Sequence, residues 1–531
     1  MRKYSLIFGF LLVFEIIYAQ SSTIDWLIQN KSTREAMGIS VTTDENFVYT
    51  TGTFYDTCFI GNSFLISNGS FDFYISKYDK EGNFVWLKSF GGSEYDMAIQ
   101  ILHNDGHIFT TGFFKDTVAF EDTTLVSIGK DDMFLMDMDT DGNLNWIKQF
   151  GGKGSGMGYS MIANNENNIY LSGIFQDTVT IDGITLISQG DYDIFIAKLD
   201  NAGNAVWAKQ AGGPGEDLGI SLTIDNLDNI YLTGSYEDTA TFADTTVSSL
   251  GYQEIFVAKY KNTGELDWLK SFGGDWGDRG HSIIMDNADN FYLSGIFGGT
   301  AFFGNDSVVS NGWFDVFVSK FKTSGELLWI KTYGSTERDY SHSMVTDNEY
   351  VYLSCSFEEE TMIEDTLLLD TSSQLFQFSN TGFLTDQIQI GNYYRNSCAI
   401  DNKSALFITG ANHGSQVFGD TILSSSAMDI FLTRINYKHT GVEELKKMEF
   451  VKAFPNPVNE GKVTFAFENT EQHVNMELRI YNIFGNEVSW QRIYRSQQTA
   501  DMDVTTWPAG IYLAVIFSNG GTVGRAKFVV E

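Results

Sequence analysis

The chain has 531 residues, and its 68 acidic and 34 basic side chains give a formal net charge of −34. A surface this acidic repels a phosphate backbone or an anionic membrane, which argues against nucleic acid as a partner. The length and the 43% content of hydrophobic residues predict more than one domain, each with a buried core.

Residues 1–19 are predicted to be a signal peptide. Arg2 and Lys3 precede an apolar run that ends near the small residue Ala19. This run has about 15 residues, fewer than the roughly 20 that a membrane-spanning helix needs, and no later stretch is long enough. We therefore expect a mature protein that begins near Gln20, leaves the cytoplasm and has no transmembrane segment.

A repeat of 60 or 61 residues follows, marked by a recurring tryptophan at Trp26, Trp86, Trp146, Trp207, Trp268 and Trp329. Four strand-like runs make up each repeat, and the first three runs are present in seven copies. Most of them are apolar on both faces, as a sheet packed between two other sheets requires. The pattern predicts an all-β fold for residues 22–440, with seven four-stranded blades around an axis, which is a β-propeller.

The order of the runs also predicts how the ring closes. Trp26 lies in a fourth-type run that precedes any first-type run, whereas the last repeat stops after its third run, Ile430 to Asn436. The N-terminal strand is therefore expected to complete the last blade. Loss of residues 22–30 would expose a strand edge and open the propeller.

Two runs in residues 193–236, DIFIAKLDNAGNAVWAKQAGG and ISLTIDNLDNIYLTGSY, resemble the seven-bladed β-propeller repeats of bacterial secreted proteins. The resemblance implies the architecture and names no ligand, because propellers serve many unrelated activities. An additional segment between the second and third runs, DTVAFEDTTLVSIG and its relatives, predicts a small hairpin on every blade.

The composition changes after Thr440, and residues 441–450 are predicted to be a linker to a second domain at residues 451–531. Alternating runs such as VTFAFEN and GIYLAVIFSN predict a small Ig-like β-sandwich. The motifs FPNPV, IYNIFGNEV, DVTTWPAGIYL and the terminal GRAKFVVE resemble the C-terminal sorting domain of type IX secretion cargo. The resemblance implies a Bacteroidota-type route through the periplasm, the type IX machinery as a partner, and release or attachment at the outer-membrane surface.

Three cysteines, Cys58, Cys355 and Cys398, are too few and too scattered for a disulfide framework or a zinc site. They are interpreted as small buried residues. A bridge between Cys355 and Cys398 is the alternative in an oxidising compartment.

The loops between a fourth strand and the next first strand hold the candidate sites, because rigid scaffolds present contacts on variable loops. Aspartate recurs there, and carboxylates with loop carbonyls suit calcium, whereas capping of backbone amides is the structural alternative. Aromatic and arginine side chains on the same rim are typical binding anchors. The calcium candidates are Asp96, Asp217, Asp278 and Asp339, and the ligand-binding candidates are Trp276, Arg279, Arg338, Tyr340, Tyr393 and Tyr394.

No catalytic motif surrounds the histidines, although His281 and His342 share one repeat position. They could form a metal or proton-transfer pair in the channel, or could simply be packed and hydrogen-bonded. We expect a secreted or cell-surface protein that binds a glycan or a protein without catalysis and without a resident cofactor. The alternative is an enzyme that uses a carboxylate pair at the channel mouth to cleave polysaccharide.

Overall fold

The computed structural model describes residues 22–363, 366–368, 371–391, 396–401, 405–437, 451–458, 461–467, 476–482, 487–493, 499–518 and 521–530. These residues form strands and no helix, so the all-β prediction is confirmed. Within the same ranges there is no helix long and apolar enough to cross a membrane. The predicted signal peptide 1–19 and linker 441–450 lie outside the described residues.

The chain divides into two compact units, Met1–Tyr437 and Lys438–Glu531. The strands of the first half of the N-terminal unit are β1 (Ser22–Asn30), β2 (Glu35–Thr43), β3 (Phe47–Tyr55), β4 (Thr57–Ile60), β5 (Ser63–Ile66), β6 (Asp72–Asp79), β7 (Phe84–Gly92), β8 (Met97–Asn104), β9 (His107–Phe114), β10 (Thr117–Phe120), β11 (Thr123–Val126), β12 (Asp132–Asp139), β13 (Leu144–Phe150), β14 (Gly156–Ala163), β15 (Ile169–Phe175), β16 (Thr178–Ile181), β17 (Ile184–Ile187), β18 (Asp193–Leu199) and β19 (Ala205–Gly212).

The remaining strands of this unit are β20 (Leu218–Ile224), β21 (Ile230–Phe242), β22 (Thr245–Tyr260), β23 (Leu266–Gly274), β24 (Arg279–Met285), β25 (Asn290–Phe297), β26 (Thr300–Phe303), β27 (Asp306–Val309), β28 (Asp315–Lys322), β29 (Leu327–Tyr333), β30 (Tyr340–Thr346), β31 (Tyr350–Phe357), β32 (Thr361–Ile363), β33 (Thr366–Leu368), β34 (Ser372–Ser379), β35 (Leu384–Gln389), β36 (Ser397–Ile400), β37 (Ala405–Phe418) and β38 (Thr421–Tyr437).

Within the described residues, the antiparallel pairings of these strands divide into seven groups of four, which we number as blades one to seven, and further pairings join some of the groups into two ten-stranded sheets. From the innermost strand outward they are β2-β3-β6-β7, β8-β9-β12-β13, β14-β15-β18-β19, β20-β21-β22-β23, β24-β25-β28-β29, β30-β31-β34-β35 and β36-β37-β38-β1. Each innermost strand contacts the next one, and β36 contacts β2, so the ring is closed. The N-terminal strand β1 pairs with β38, with Trp26 opposite Arg434, as the order of the runs predicts.

Serine hydroxyls hydrogen-bond the innermost strands of neighbouring blades to each other. The Ser40 hydroxyl accepts a hydrogen bond from the backbone N–H of Ile101 in the next blade, at 3.2 Å. The serines at the same repeat position in blades three to six bond their neighbours at 3.2 to 3.3 Å, which ties the ring together around its axis.

Tryptophan joins the blades near their outer strands. The indole Nε1–H of Trp26 donates to the carbonyl of Lys80 in blade one at 2.9 Å, and its ring packs on Gly82. Trp86, Trp207, Trp268 and Trp329 donate in the same way to the turn of the following blade, at 3.1 to 3.2 Å. The repeat tryptophan is therefore the anchor between blades.

The insert between the second and third strands is the predicted hairpin, and its first strand pairs with the preceding blade. Strand β10 of blade two pairs with the end of β7 in blade one, with Val118 opposite Gly92. Corresponding pairs join β21 to β19 and β26 to β23. An added Cβ on Gly92 would lie 2.1 Å from the carbonyl oxygen of Thr117, so only glycine allows the two strands to approach this closely.

All three cysteines are buried free thiols, as the packing interpretation predicts. The alternative of a Cys355–Cys398 disulfide was therefore wrong. Each thiol sits among apolar side chains of the blade cores, where a small residue fills the space.

The C-terminal unit contains two sheets around one apolar core that includes Val463, Phe465, Leu478, Ile480 and Phe528. One sheet has the order β39-β40-β43 and the other β42-β41-β44-β45. Its Ig-like character stays a prediction. The strands are β39 (Val451–Phe454), β40 (Lys462–Phe467), β41 (Met476–Asn482), β42 (Glu487–Ile493), β43 (Thr499–Asp503), β44 (Gly510–Ser518) and β45 (Gly521–Val530).

Candidate functional site

The predicted aspartates of the rim loops are completely buried. Asp96 accepts hydrogen bonds from the backbone N–H of Gly92 at 2.7 Å and from that of Lys115 at 3.0 Å. Its carboxylate thus ties the end of one blade to the second strand of the next. Asp217, Asp278 and Asp339 each accept two backbone N–H bonds in the same arrangement.

A second acid, from the start of the third strand, lies beside each of these aspartates. A Cβ on Gly212 would meet the carboxyl of Asp193 at 2.6 Å and that of Asp217 at 2.9 Å, so the two groups flank this glycine. Glu254 and Asp278 flank Gly273 in the same way. Burial, aided by the neighbouring acid, raises the pKa of Asp217 to about 8 and the pKa of Asp278 to about 7.

This geometry corresponds to the amide-capping alternative that was weighed beside calcium. A carboxylate oxygen that accepts a backbone N–H has a lone pair committed to that donor. Within the described ranges, no three or more His, Cys, Asp or Glu side chains group in a way that could hold a metal ion. Calcium binding by Asp96, Asp217, Asp278 and Asp339 stays a prediction.

An exposed aromatic cluster lies between blades four and five. Trp276 is 45% exposed and Trp313 is 50% exposed, and their rings meet edge to face with centroids 5.7 Å apart. The Arg338 guanidinium lies over the Trp313 ring, 5.7 Å from its centroid. The backbone N–H of Tyr252 donates to the carbonyl of Trp276, and the Tyr252 ring is exposed as well. We call Trp276, Trp313, Arg338 and Tyr252 the junction aromatic site.

Two glycines make room for this site. A Cβ on Gly298 would lie 3.1 Å from the Cβ of Trp276, and one on Gly299 would lie 3.0 Å from the indole Cδ1. Gly299 also has a φ of +61°, which favours glycine. The indole therefore rests on bare backbone of the next blade, which fixes its orientation.

Other blades fill the position of Trp276 differently. Counted from the repeat tryptophan, Arg34 and Glu94 hold this position. Arg34 lies over the ring of Tyr55, and Glu94 forms an ion pair of 2.9 Å with Lys115. In both cases the side chain at this position contacts a partner side chain of the same junction. Trp276 instead packs on Gly298 and Gly299 and keeps one aromatic face in solvent.

The structure brings two of the predicted ligand residues together, since Trp276 and Arg338 both contact Trp313. Arg279 begins β24, and its Nε–H donates to Gln253 at 2.6 Å. Tyr340 begins β30, half-buried and opposite Ser356. Tyr393 and Tyr394 lie outside the described residues.

Sequence reasoning missed Trp313, in the loop before β28, and Tyr252, within β22, because neither lies in the loops that were searched. A signal was available in Gly298-Gly299, because the corresponding positions of blades two, three and four are Lys-Asp, Gln-Asp and Glu-Asp. Blade five thus differs from these blades at both positions, and the same junction is the one that carries Trp276, which indicates that the glycines and the tryptophan belong together.

The central channel holds the predicted histidines. Its cavity of about 390 Å³ is lined by the innermost strands and includes His281 and His342. The Nδ1–H of His281 donates to the carbonyl of Ser341 at 2.8 Å, and His342 Nε2 lies 2.5 Å from the Ser356 hydroxyl. Both rings are therefore hydrogen-bonded, as the packing alternative predicts.

Comparison with known proteins finds a family match within each part of the chain. Residues 452–531 match the secretion system C-terminal sorting domain, and residues 206–235 match a beta-propeller repeat. The type IX resemblance is thereby confirmed, and this sorting domain directs the protein to secretion or the outer-membrane surface.

Two curated proteins share weak similarity with the repeats. An uncharacterized WD repeat-containing protein of Acanthamoeba polyphaga mimivirus is 24% identical over 41% of this chain and 19% of its own length. The regulatory protein FlaEY of Caulobacter vibrioides is 22% identical over 35% of this chain and 21% of its own length. The chain thus matches only about a fifth of the length of these relatives.

Solved structures of low similarity include the extracellular domain of a one-component system from B. thetaiotaomicron. It is 10% identical, with a TM-score of 0.21, over 93% of this chain and 80% of that one. A glycoside hydrolase family 32 protein from Bifidobacterium adolescentis is 10% identical, with a TM-score of 0.24, over 95% of both chains. Similarity at this level transfers no activity to this chain.

Proposed function

We propose that this secreted propeller protein binds a glycan without catalysis, through the junction aromatic site. The observation that carries the proposal is the pair Trp276 and Trp313, half-exposed and held edge to face. Exposed aromatic faces stack on the apolar faces of sugar rings. Because Trp276 rests on Gly298 and Gly299, little side-chain freedom is lost when a ligand binds.

The experiment measures binding of the mature chain to a glycan and peptide array, followed by titration calorimetry with the best glycan. Trp276→Ala and Trp313→Ala should each weaken binding by about tenfold or more, as truncation of a central aromatic anchor does. Their melting temperatures should stay within a few degrees of the wild type. Phe383→Ala is the matched control, since Phe383 is an exposed aromatic residue of blade six outside the site.

Retention of full affinity by both tryptophan variants would contradict the placement of the site. Binding of peptides and of no glycan would contradict the choice of ligand. A large fall in melting temperature would instead assign these side chains to packing, in which case affinity is compared at a temperature where each variant is folded.

The enzyme alternative requires two carboxyl groups that a substrate can reach, roughly 5 to 9.5 Å apart. The carboxyl pairs Asp193–Asp217 and Glu254–Asp278 are buried, and each member accepts backbone N–H groups, so they do not support that alternative. Release of reducing ends from polysaccharide by the wild-type chain would overturn the non-catalytic part of the proposal.

A further inference from the structure

The propeller arginines that the structure describes divide into two groups. Arg34 pairs with Asp56 at 3.7 Å and Arg434 pairs with Asp25 at 3.3 Å. Arg279 and Arg338 form no ion pair with any described carboxylate, although acidic residues outnumber basic ones two to one in this chain. Arg338 belongs to the junction aromatic site, and Arg279 lies beside it, bonded to the residue after Tyr252.

Arg338 is the one that a ligand can reach. Its side chain is exposed, and its guanidinium lies over the ring of Trp313. A guanidinium stacked on an aromatic ring keeps its N–H donors at the ring edge, where they can bind a planar anion through two hydrogen bonds. Arg279 is held by Gln253, whose own amide donates to Glu216 at 3.2 Å, so its guanidinium is anchored within the rim.

Three glutamates close to Arg338 in the sequence or in the next blade line a separate surface depression. Glu337, Glu358 and Glu359 line a depression together with Thr371. Glu359 accepts a hydrogen bond of 2.8 Å from the hydroxyl of Thr336. Among the described residues, none of these carboxylates forms an ion pair with Arg338, whose guanidinium lies over Trp313.

We propose that the junction aromatic site selects glycans whose sugar rings carry carboxylates, with Arg338 binding the carboxylate while Trp276 and Trp313 contact the rings. This proposal rests on the proposed function, and it adds the class of glycan. The net charge of −34 opposes the approach of a polyanion, but the Debye length is about 8 Å at physiological ionic strength, so distant acids are largely screened. Contacts at the site itself then decide the selectivity.

The test compares polygalacturonate and alginate with the methyl ester of each polymer, since esterification removes the charge and keeps the sugar backbone. At 0.15 M salt, the wild-type mature chain should bind at least one acidic polymer about tenfold tighter than its ester, as expected for a charge-assisted hydrogen bond. Arg338→Gln should abolish that preference. Arg34→Gln is the matched control and should keep it, because Arg34 also lies on an aromatic ring but is already paired with Asp56.

The outcomes separate the two proposals. Equal binding of acid and ester by the wild type, or a preference that survives Arg338→Gln, would overturn the selectivity for carboxylates. If Trp276→Ala still abolishes binding in that case, the glycan site stands without that selectivity. If Trp276→Ala has no effect while Arg338→Gln abolishes binding, the aromatic site itself is refuted.

Discussion

Removal of the Trp26 side chain should loosen the closure of the ring. The Trp26 indole donates to the Lys80 carbonyl at 2.9 Å, packs on Gly82 and lies 6.1 Å from Phe407 between ring centroids. A fully buried Trp→Ala change costs about 3 to 5 kcal/mol, and a half-buried ring should cost about 2, to which the lost hydrogen bond adds about 1. We therefore expect Trp26→Ala to lower the free energy of unfolding of the propeller by about 3 kcal/mol.

Trp329 provides the matched control, because it donates to Asn380 at 3.1 Å in the same repeat position but lies in a strand tethered at both ends. Both variants should lose comparable stability in urea unfolding. Only Trp26→Ala should speed hydrogen exchange in β38 at Ile430 to Tyr437, because β1 can detach locally. Unchanged exchange in β38 despite lost stability would refute the idea that Trp26 holds the ring closed.

Three further outcomes follow from the blade junctions. In EDTA, the propeller should melt at a higher temperature at pH 5.5 than at pH 8.5, because the folded state raises the pKa of Asp217 to about 8 and that of Asp278 to about 7 from the usual value near 3.8. The stability contributed by the protonated forms is complete below about pH 4 and is lost as the pH rises through 7 to 8. A melting temperature that does not change between pH 5.5 and pH 8.5 would refute the shift. Gly274→Ala should lower the free energy of unfolding by about 2 kcal/mol or more, because its Cβ would lie 1.8 Å from the Thr300 carbonyl oxygen. The control Gly277→Ala, whose Cβ makes ordinary contacts at 3.8 Å, should lower it by less than about 0.5 kcal/mol. Equal melting temperatures of the two variants would contradict the close pairing of the hairpin with the preceding blade. Ellman's reagent should find no reactive thiol in the native protein and three after denaturation, because burial raises the pKa of Cys58 and that of Cys398 to about 12, and rapid native labelling would contradict their burial.

Sequence reasoning predicted the elements that repeat. The period of Trp26 to Trp329 located the fourth strands, and counting the runs located the partner of β1, because each depends on a pattern copied along the chain. The same patterns could not show that the Asp72 carboxyl lies against Gly91 near the end of β7, since that contact depends on the register that places Phe73 opposite Phe90. Trp313 was missed for a related reason: it lies 37 residues from Trp276, and only the pairing of neighbouring blades brings the two rings together.

The way the blades are joined explains why the rim is free to carry a specific site. Serine hydroxyls bond the innermost strands, buried aspartates cap the loop amides, and the repeat tryptophans anchor the outer turns. None of these contacts uses the side chain two residues before the capping aspartate, which is glutamate in Glu94, glycine in Gly215 and tryptophan in Trp276. This position is therefore free to differ between blades, and in blade five it is filled by Trp276, which packs on Gly298 and Gly299 just after β25. The two glycines hold the exposed Trp276 ring in a fixed orientation, and this arrangement supports the proposal that the ring contacts a ligand.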